Sequence, residues 1–276
     1  MTGQKQKIIE SLNFIKSKSP FKKNPELAII TYKDPLFLKE FQVLKKLSYK
    51  DIPPKLYGNE NSDAGEFIFA KLKGTNKNLY ILNGRFHFYS GYKMRDVVHP
   101  IYILKELGVK KIILIDEVGY LNPRFELGGV SFIYDHINLM GDNPLIGEND
   151  SSLGTRFPDM SNAYDKKLFD KVEELLKKEN FTYYPSVYIG VLGPESETES
   201  ECRFYREIYS DVLGYGIVPE NIAALHSGIK ILAFGMISRE LVADRLKAIS
   251  KEEQLKNRVE AEKYFSKILK EIINYI

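Results

Sequence analysis

The sequence predicts an α/β protein with a mixed central β-sheet flanked by helices, in a single domain covering residues 1–276. Three observations carry that expectation. Short β-branched runs such as Leu27–Tyr32, Lys111–Ile115 and Ile229–Phe234 alternate with stretches of helical apolar spacing, the pattern of strands buried between helical layers. Between Val97 and Ile115 a helical pattern meets Gly108 and then an apolar run, one αβ step of a layered protein. No internal repeat, low-complexity tract or linker interrupts the 276 residues, a length that one large α/β domain can fill.

Each element follows from a local signal. Ile8, Ile9, Leu12 and Ile15 sit at helical spacing and predict an opening amphipathic helix, ended by Asn24-Pro25. Leu27–Tyr32 reads as a buried strand, and Asp34-Pro35 is expected to start a helix over Leu36, Leu38, Phe41 and Leu44. Phe67–Ala70 and Leu79–Leu82 flank the turn-rich Lys73–Asn78 and predict a hairpin. A helix through Val97, Ile101, Ile103, Leu104 and Leu107 feeds the strand Lys111–Ile115. After a strand at Val130–Tyr134, the Gly- and Pro-bearing stretch to Asp165 reads as a long functional loop. Helix Lys166–Lys178, strand Val187–Leu192, helix Glu199–Tyr209 and strand Ile229–Phe234 follow. Ser250-Lys-Glu-Glu253 matches a capping box. It opens a last helix with Leu255, Val259, Phe265, Ile268, Leu269, Ile272 and Ile273 on one face.

Composition narrows the chemistry. With 40 Lys+Arg against 37 Asp+Glu, the net charge of +3 is too small for a strongly basic nucleic-acid binder. The 43% apolar content excludes disorder. A single cysteine, Cys202, can form neither an internal disulfide nor a CxxC zinc site. The Met1–Lys7 segment lacks the apolar core of a signal peptide, and no apolar run has the roughly 18 residues of a membrane helix. A cytoplasmic protein with no membrane, nucleic-acid or metal partner is expected. Its chemistry is to be sought among carboxylates, Arg, Lys and backbone groups.

Five segments carry more than fold information: Gly84-Arg-Phe-His-Phe-Tyr-Ser-Gly-Tyr92; Asp135–Leu139 with Asn143–Leu145; Arg156-Phe-Pro-Asp-Met-Ser-Asn-Ala-Tyr-Asp165; Gly193-Pro-Glu-Ser-Glu-Thr-Glu-Ser-Glu-Cys202; and Val218-Pro-Glu220. In order and spacing they resemble the trimeric class of purine nucleoside phosphorylases, collinear from about Leu27 to the last helix. The resemblance implies a nucleoside phosphorylase-like fold and phosphorolysis of purine nucleosides to free base and ribose 1-phosphate, a purine-salvage reaction of a pentosyltransferase. It also implies phosphate as co-substrate with no other cofactor, and a cyclic homotrimer. Such a reaction needs a cationic cradle for phosphate, groups that hold the ribose, and donors to a base that becomes anionic.

For the cradle the resemblance points to Arg85 and His87, which at i and i+2 of an extended segment project to one face. Lys33 stands where the family has its phosphate-binding serine, within Thr31–Leu36 in place of a Gly-Ser-Gly turn. Glu117 replaces an alanine of an Asn-Ala-Ala-Gly loop, and Gly216 replaces the serine before Val-Pro-Glu. Two outcomes stay open. Lys33 compensates for the lost contacts, or Glu117 pairs with Arg85 or Lys33 and fills the anion site with protein charge.

For the base, Glu197 matches the purine-recognising carboxylate, while its local role is a favourable charge near a helix N-terminus. Ser196 stands for a flanking aromatic, Tyr215 for a methionine, Ser238 for a threonine, and Arg239 for the asparagine that stabilises the leaving base. For the ribose, Tyr89 is retained, Lys251 aligns with a histidine near the 5′-hydroxyl, and Phe157 is in the family contributed across the subunit boundary. Glu197, Arg239 and His87 are the expected catalytic groups. His99, His136 and His226 are expected to be structural. Asp159, Asp165 and Glu220 are too dispersed for a metal site. Because so many contacts differ, lowered activity or a shifted base preference is expected. A non-catalytic nucleoside- or base-binding trimeric homologue and a phosphate-independent nucleosidase remain alternatives.

Overall fold

Apolar residues on both faces of nearly every strand organise the chain, described for residues 3–54 and 65–276 in a computed structural model. The helices are α1 (Gly3–Lys18), α2 (Met94–Val97), α3 (His99–Glu106), α4 (Lys166–Lys178), α5 (Glu199–Glu207), α6 (Ile217–His226) and α7 (Lys251–Tyr275). The strands are β1 (Leu27–Thr31), β2 (Phe41–Ser48), β3 (Glu66–Leu72), β4 (Asn78–Asn83), β5 (Lys111–Tyr120), β6 (Val130–Asn138), β7 (Tyr184–Gly190), β8 (Val212–Gly214) and β9 (Lys230–Glu240). They form one sheet in the order β2-β3-β4-β1-β5-β8-β7-β6-β9. A further β5–β9 pairing closes the last five strands on themselves. Parallel pairs (β1 with β4 and β5, β5 with β9, β7 with β6 and β8) join antiparallel ones (β2–β3–β4, β5–β8, β6–β9), so the sheet is mixed as expected.

The alternation of strand side chains divides the core. From β5, Ile112 and Leu114 pack with Ile8, Ile15, Leu104 and Ala223 of α1, α3 and α6. Ile113 and Ile115 pack with Val172, Leu176, Phe265, Ile268 and Leu269 of α4 and α7. Covering both faces with helices is what lets these strands read as continuous apolar runs. Among the described residues, no helix is long and apolar enough to cross a membrane.

Several expectations need correcting. Residues 36–44 do not form a helix: a short 3-10 turn spans Leu36–Glu40, and Phe41 opens the edge strand β2. A bulge between Val43 and Lys45 breaks the alternation of β2 against β3, so the run carries no period-two signature. Strand β7 begins at Tyr184 rather than Val187, with Pro185 inside it. The short strand β8 and the helix α6 lack a counterpart in the sequence reading. Helix α6 is buried almost all round, so it has none of the amphipathic period that reveals a surface helix. On α7, Leu255 is exposed rather than part of the apolar face. The capping contact is present, with Ser250 Oγ accepting from the Glu253 amide at 3.1 Å. Strands β5 and β9 run well past the expected Ile115 and Phe234, and their extensions carry Asp116, Glu117, Ser238 and Arg239.

His99 shows what burial costs a titratable group. Its Nε2 lies 2.9 Å from Ser11 Oγ between α1 and α3, and burial together with Lys7 lowers its pKa from 6.5 to about 4. A folded-state pKa below the unfolded one adds stability that is present above pH 6.5 and is lost as pH falls toward 4. His99→Gln should therefore flatten the loss of stability between those two values by up to about 3 kcal/mol, measured by urea unfolding across the pH series. An unchanged pH dependence would contradict this account.

Candidate active site

Arg85 is separated from the end of β4 by Gly84 alone, whose φ of 106° suits glycine. The guanidinium is almost fully buried. Its Nε and Nη2 donate to the two oxygens of Glu220 at 3.1 and 3.0 Å, and its Nη1 donates to Asp116 Oδ1 at 2.7 Å and to the Ile115 carbonyl at 3.1 Å. Tyr188 donates to the other oxygen of Asp116 at 2.8 Å, and the Gly216 amide donates to the Tyr188 hydroxyl at 3.2 Å. Burial opposes the charge on Arg85, but Glu220 and then Asp116 outweigh it and hold the guanidinium firmly protonated. Burial raises the pKa of Glu220, with Arg85 opposing it, and burial followed by Asp116 raises that of Tyr188 well above 10.0.

Glu117 does not pair with Arg85. Gln254 and Arg258 of α7 donate to its two oxygens at 2.7 and 3.0 Å. The reason is the strand period: Asp116 shares the α6 side of β5 with Ile112 and Leu114, whereas Glu117 shares the α7 side with Ile113 and Ile115. The loop after β1 is tied down on its own account. Asn83 exchanges hydrogen bonds with Asp34 at 2.8 and 3.0 Å, and Tyr32 donates to Glu262 of α7 at 2.8 Å. Lys33 lies in this loop and is exposed.

The second cluster surrounds Glu197, just before α5. Tyr215 donates to Glu197 Oε1 at 2.7 Å, Arg239 Nη1 donates to Oε2 at 3.1 Å, and Arg239 Nη2 reaches the Tyr215 hydroxyl at 3.3 Å. Glu197 is 8% exposed and Arg239 is 9% exposed, so this is a desolvated pair. Ser238, the residue before Arg239 in β9, is buried, its Oγ lacking a hydrogen-bond partner among the described residues. An aromatic bridge joins the clusters: His87 stacks on Tyr89 at 4.7 Å, and Tyr89 meets Tyr215 edge-on at 5.9 Å. Burial, and then Arg85, lowers the His87 pKa to about 4, so its imidazole is neutral near pH 7.

Arg85, His87, Tyr89, Gly216, Tyr215, Glu197 and Arg239 are thus brought into two adjoining clusters, and Ser238 precedes Arg239 in β9 without a side-chain hydrogen bond to either. Ser196 and Lys251 are exposed, Lys251 at the first turn of α7. Phe157 is elsewhere. It is 84% exposed and lines a cavity of about 490 Å³ with His136, Leu145, Met160 and Ile222, none of them a member of either cluster. Sequence reasoning misses Asp116, Tyr188, Glu220, Gln254 and Arg258 as partners. The alternation of β5 could have separated Asp116 from Glu117, but the pairing of Glu220 with Arg85 depends on α6, which has no sequence signal.

The chain is similar to known proteins over nearly its whole length. The profile described as "Phosphorylase superfamily" matches residues 28–274. Purine nucleoside phosphorylase 1 of Bacillus subtilis is 36% identical over 270 residues, which cover 98% of this chain and 98% of that protein. The purine nucleoside phosphorylase of Bos taurus is 36% identical over 201 residues, 71% of this chain and 69% of that protein. The structure of a schistosoma purine nucleoside phosphorylase in complex with hypoxanthine superposes with a TM-score of 0.87 at 30% identity, covering 98% and 97% of the two chains.

Removing the guanidinium should expose how much it supports. Arg85→Met leaves two buried carboxylates facing each other and should cost about 3–5 kcal/mol at neutral pH. Relative to the parent protein, part of that loss should return on acidification, as the carboxylates take up protons. Adding Glu220→Gln should restore stability at neutral pH. Urea denaturation of the three proteins at two pH values checks this, and a pH-independent loss would contradict it.

Proposed function

The chain belongs to the phosphorylase superfamily and, within it, to the purine nucleoside phosphorylases, and from that premise we propose that it cleaves purine nucleosides with inorganic phosphate to free base and ribose 1-phosphate. The observation that carries the reading is the buried Glu197–Arg239–Tyr215 cluster at the end of β9. A phosphate oxygen attacks the anomeric carbon, the bond from that carbon to the purine nitrogen breaks, and its electron pair moves onto the base. Arg239 is permanently charged and desolvated, which suits it to donate to the base as negative charge develops. Glu197 accepts from the purine N–H once Tyr215 or Arg239 yields one of its contacts. Ser238 offers a buried, unpartnered hydroxyl next to Arg239 in the chain, and Ser196 flanks the base from the exposed side.

Phosphate would lie by Arg85, Lys33 and neutral His87, with Gly216 at its margin and Glu117 kept off it by Gln254 and Arg258. Tyr89 would hold the ribose, Lys251 would approach its 5′ end, and Phe157 of a neighbouring copy would close it. Phosphate is the co-substrate, and the mechanism needs no cofactor. We propose a homotrimer on the strength of the exposed Phe157 and its apolar cavity. Light scattering should give three times the 31.8 kDa chain mass, and Phe157→Ala should raise the KM for nucleoside. A monomer in solution would contradict this assembly.

Saturation of both Arg85 and Glu197 by protein partners favours a second reading, nucleoside or base binding without turnover. One assay separates the readings. Inosine or guanosine with phosphate should release base and ribose 1-phosphate, and Glu197→Ala should lower kcat/KM by about 10²–10³. Free ribose formed without phosphate would make the protein a nucleosidase, and binding without base release would make it a non-catalytic homologue.

A further inference from the structure

All three guanidinium nitrogens of Arg85 are spent on the protein itself, on Asp116, Glu220 and the Ile115 carbonyl, and its side chain is 1% exposed. The space it fills exists because residue 216 has no side chain. A Cβ on Gly216 would stand 2.5 Å from Arg85 Cδ, 2.8 Å from Nε and 3.1 Å from Cζ. The backbone does not demand glycine there, since Gly216 has a φ of −119° and a ψ of −38°, which any residue adopts. Glycine at 216 is therefore required by the arginine and not by the chain. Asp116 supplies the second condition, offering one oxygen to Nη1 while Tyr188 holds the other.

We propose that Gly216, Asp116 and Glu220 form a stow that withdraws Arg85 from the anion site, so that phosphate binds only to the fraction of molecules in which the arginine has swung out. The proposal deepens the phosphorylase reading and rests on its assignment of phosphate to the neighbourhood of Arg85. The stowed population reduces the apparent affinity for phosphate by the fraction of protein in the open state. Gly216 and Asp116 are positioning residues in this scheme. A side chain at 216 evicts Arg85 by volume, and a neutral residue at 116 removes one of the two charges that retain it.

Titration calorimetry of inorganic phosphate into Gly216→Ala, Asp116→Asn and the parent protein tests the stow without requiring turnover. Each variant should bind phosphate about tenfold tighter, and the double variant should gain less than the product of the two effects, because both release the same side chain. In inosine phosphorolysis the KM for phosphate should fall while the KM for inosine holds. If both single variants are folded by circular dichroism and bind phosphate no tighter than the parent, the stow is overturned. Tighter phosphate binding with no inosine cleavage in any of the proteins would keep the stow and reject the phosphorylase reading. Cleavage with unmoved phosphate affinity would do the reverse.

Discussion

A buried guanidinium is tolerated only when its donors are satisfied, and Arg85 imposes that condition on four separate stretches of chain. It leaves β4, takes Asp116 and a carbonyl from β5, reaches Glu220 in the first turn of α6, and through Asp116 engages Tyr188 of β7. Ion desolvation costs several kcal/mol per charge, so the arrangement holds only while its partners stay in register. The extension of β5 past its apolar run, the placement of α6 and the missing side chain at 216 all serve this one packing problem. The same solution bears on the proposed anion site, because a guanidinium that satisfies its own protein has fewer donors to offer a ligand.

Strand alternation then distributes the rest of the charge. Asp116 and Glu117 are adjacent in sequence yet lie on opposite faces of β5, one in the Arg85 cluster and the other held by Gln254 and Arg258 of α7. A segment that reads as one acidic patch is thus two ion-pair networks separated by the sheet. Around Glu197 the pattern repeats in miniature, with the carboxylate neutralised by Arg239 and oriented by Tyr215. The aromatic chain His87–Tyr89–Tyr215 links the two clusters, so they share one wall.

How much of this is legible in the sequence depends on how local each signal is. The buried strands, α4 and α7 announce themselves because burial repeats at the strand or helix period within a few residues. Residues 36–44 mislead because an edge strand with a bulge has no such period, and its pairing is decided by β3, a separate stretch of chain. Helix α6 is silent because nearly every side is buried, which erases the contrast that marks an amphipathic helix. Glu220 is legible as part of Val218-Pro-Glu220 but not as a partner of Arg85, and Tyr188 carries no signal at all.

By itself the sequence determined the α/β class and the family, and it named the residue types of the candidate site, since these reside in local periodicity and in short ordered motifs. The tertiary structure alone decided which carboxylate meets which arginine. That choice depends on the face to which a strand turns each side chain, on a buried helix bringing Glu220 across, and on whether residue 216 leaves room. Ion pairs form between groups that packing brings together. Asp116 and Glu117 are neighbours in the chain, yet only Asp116 lies on the face of β5 that Arg85 reaches.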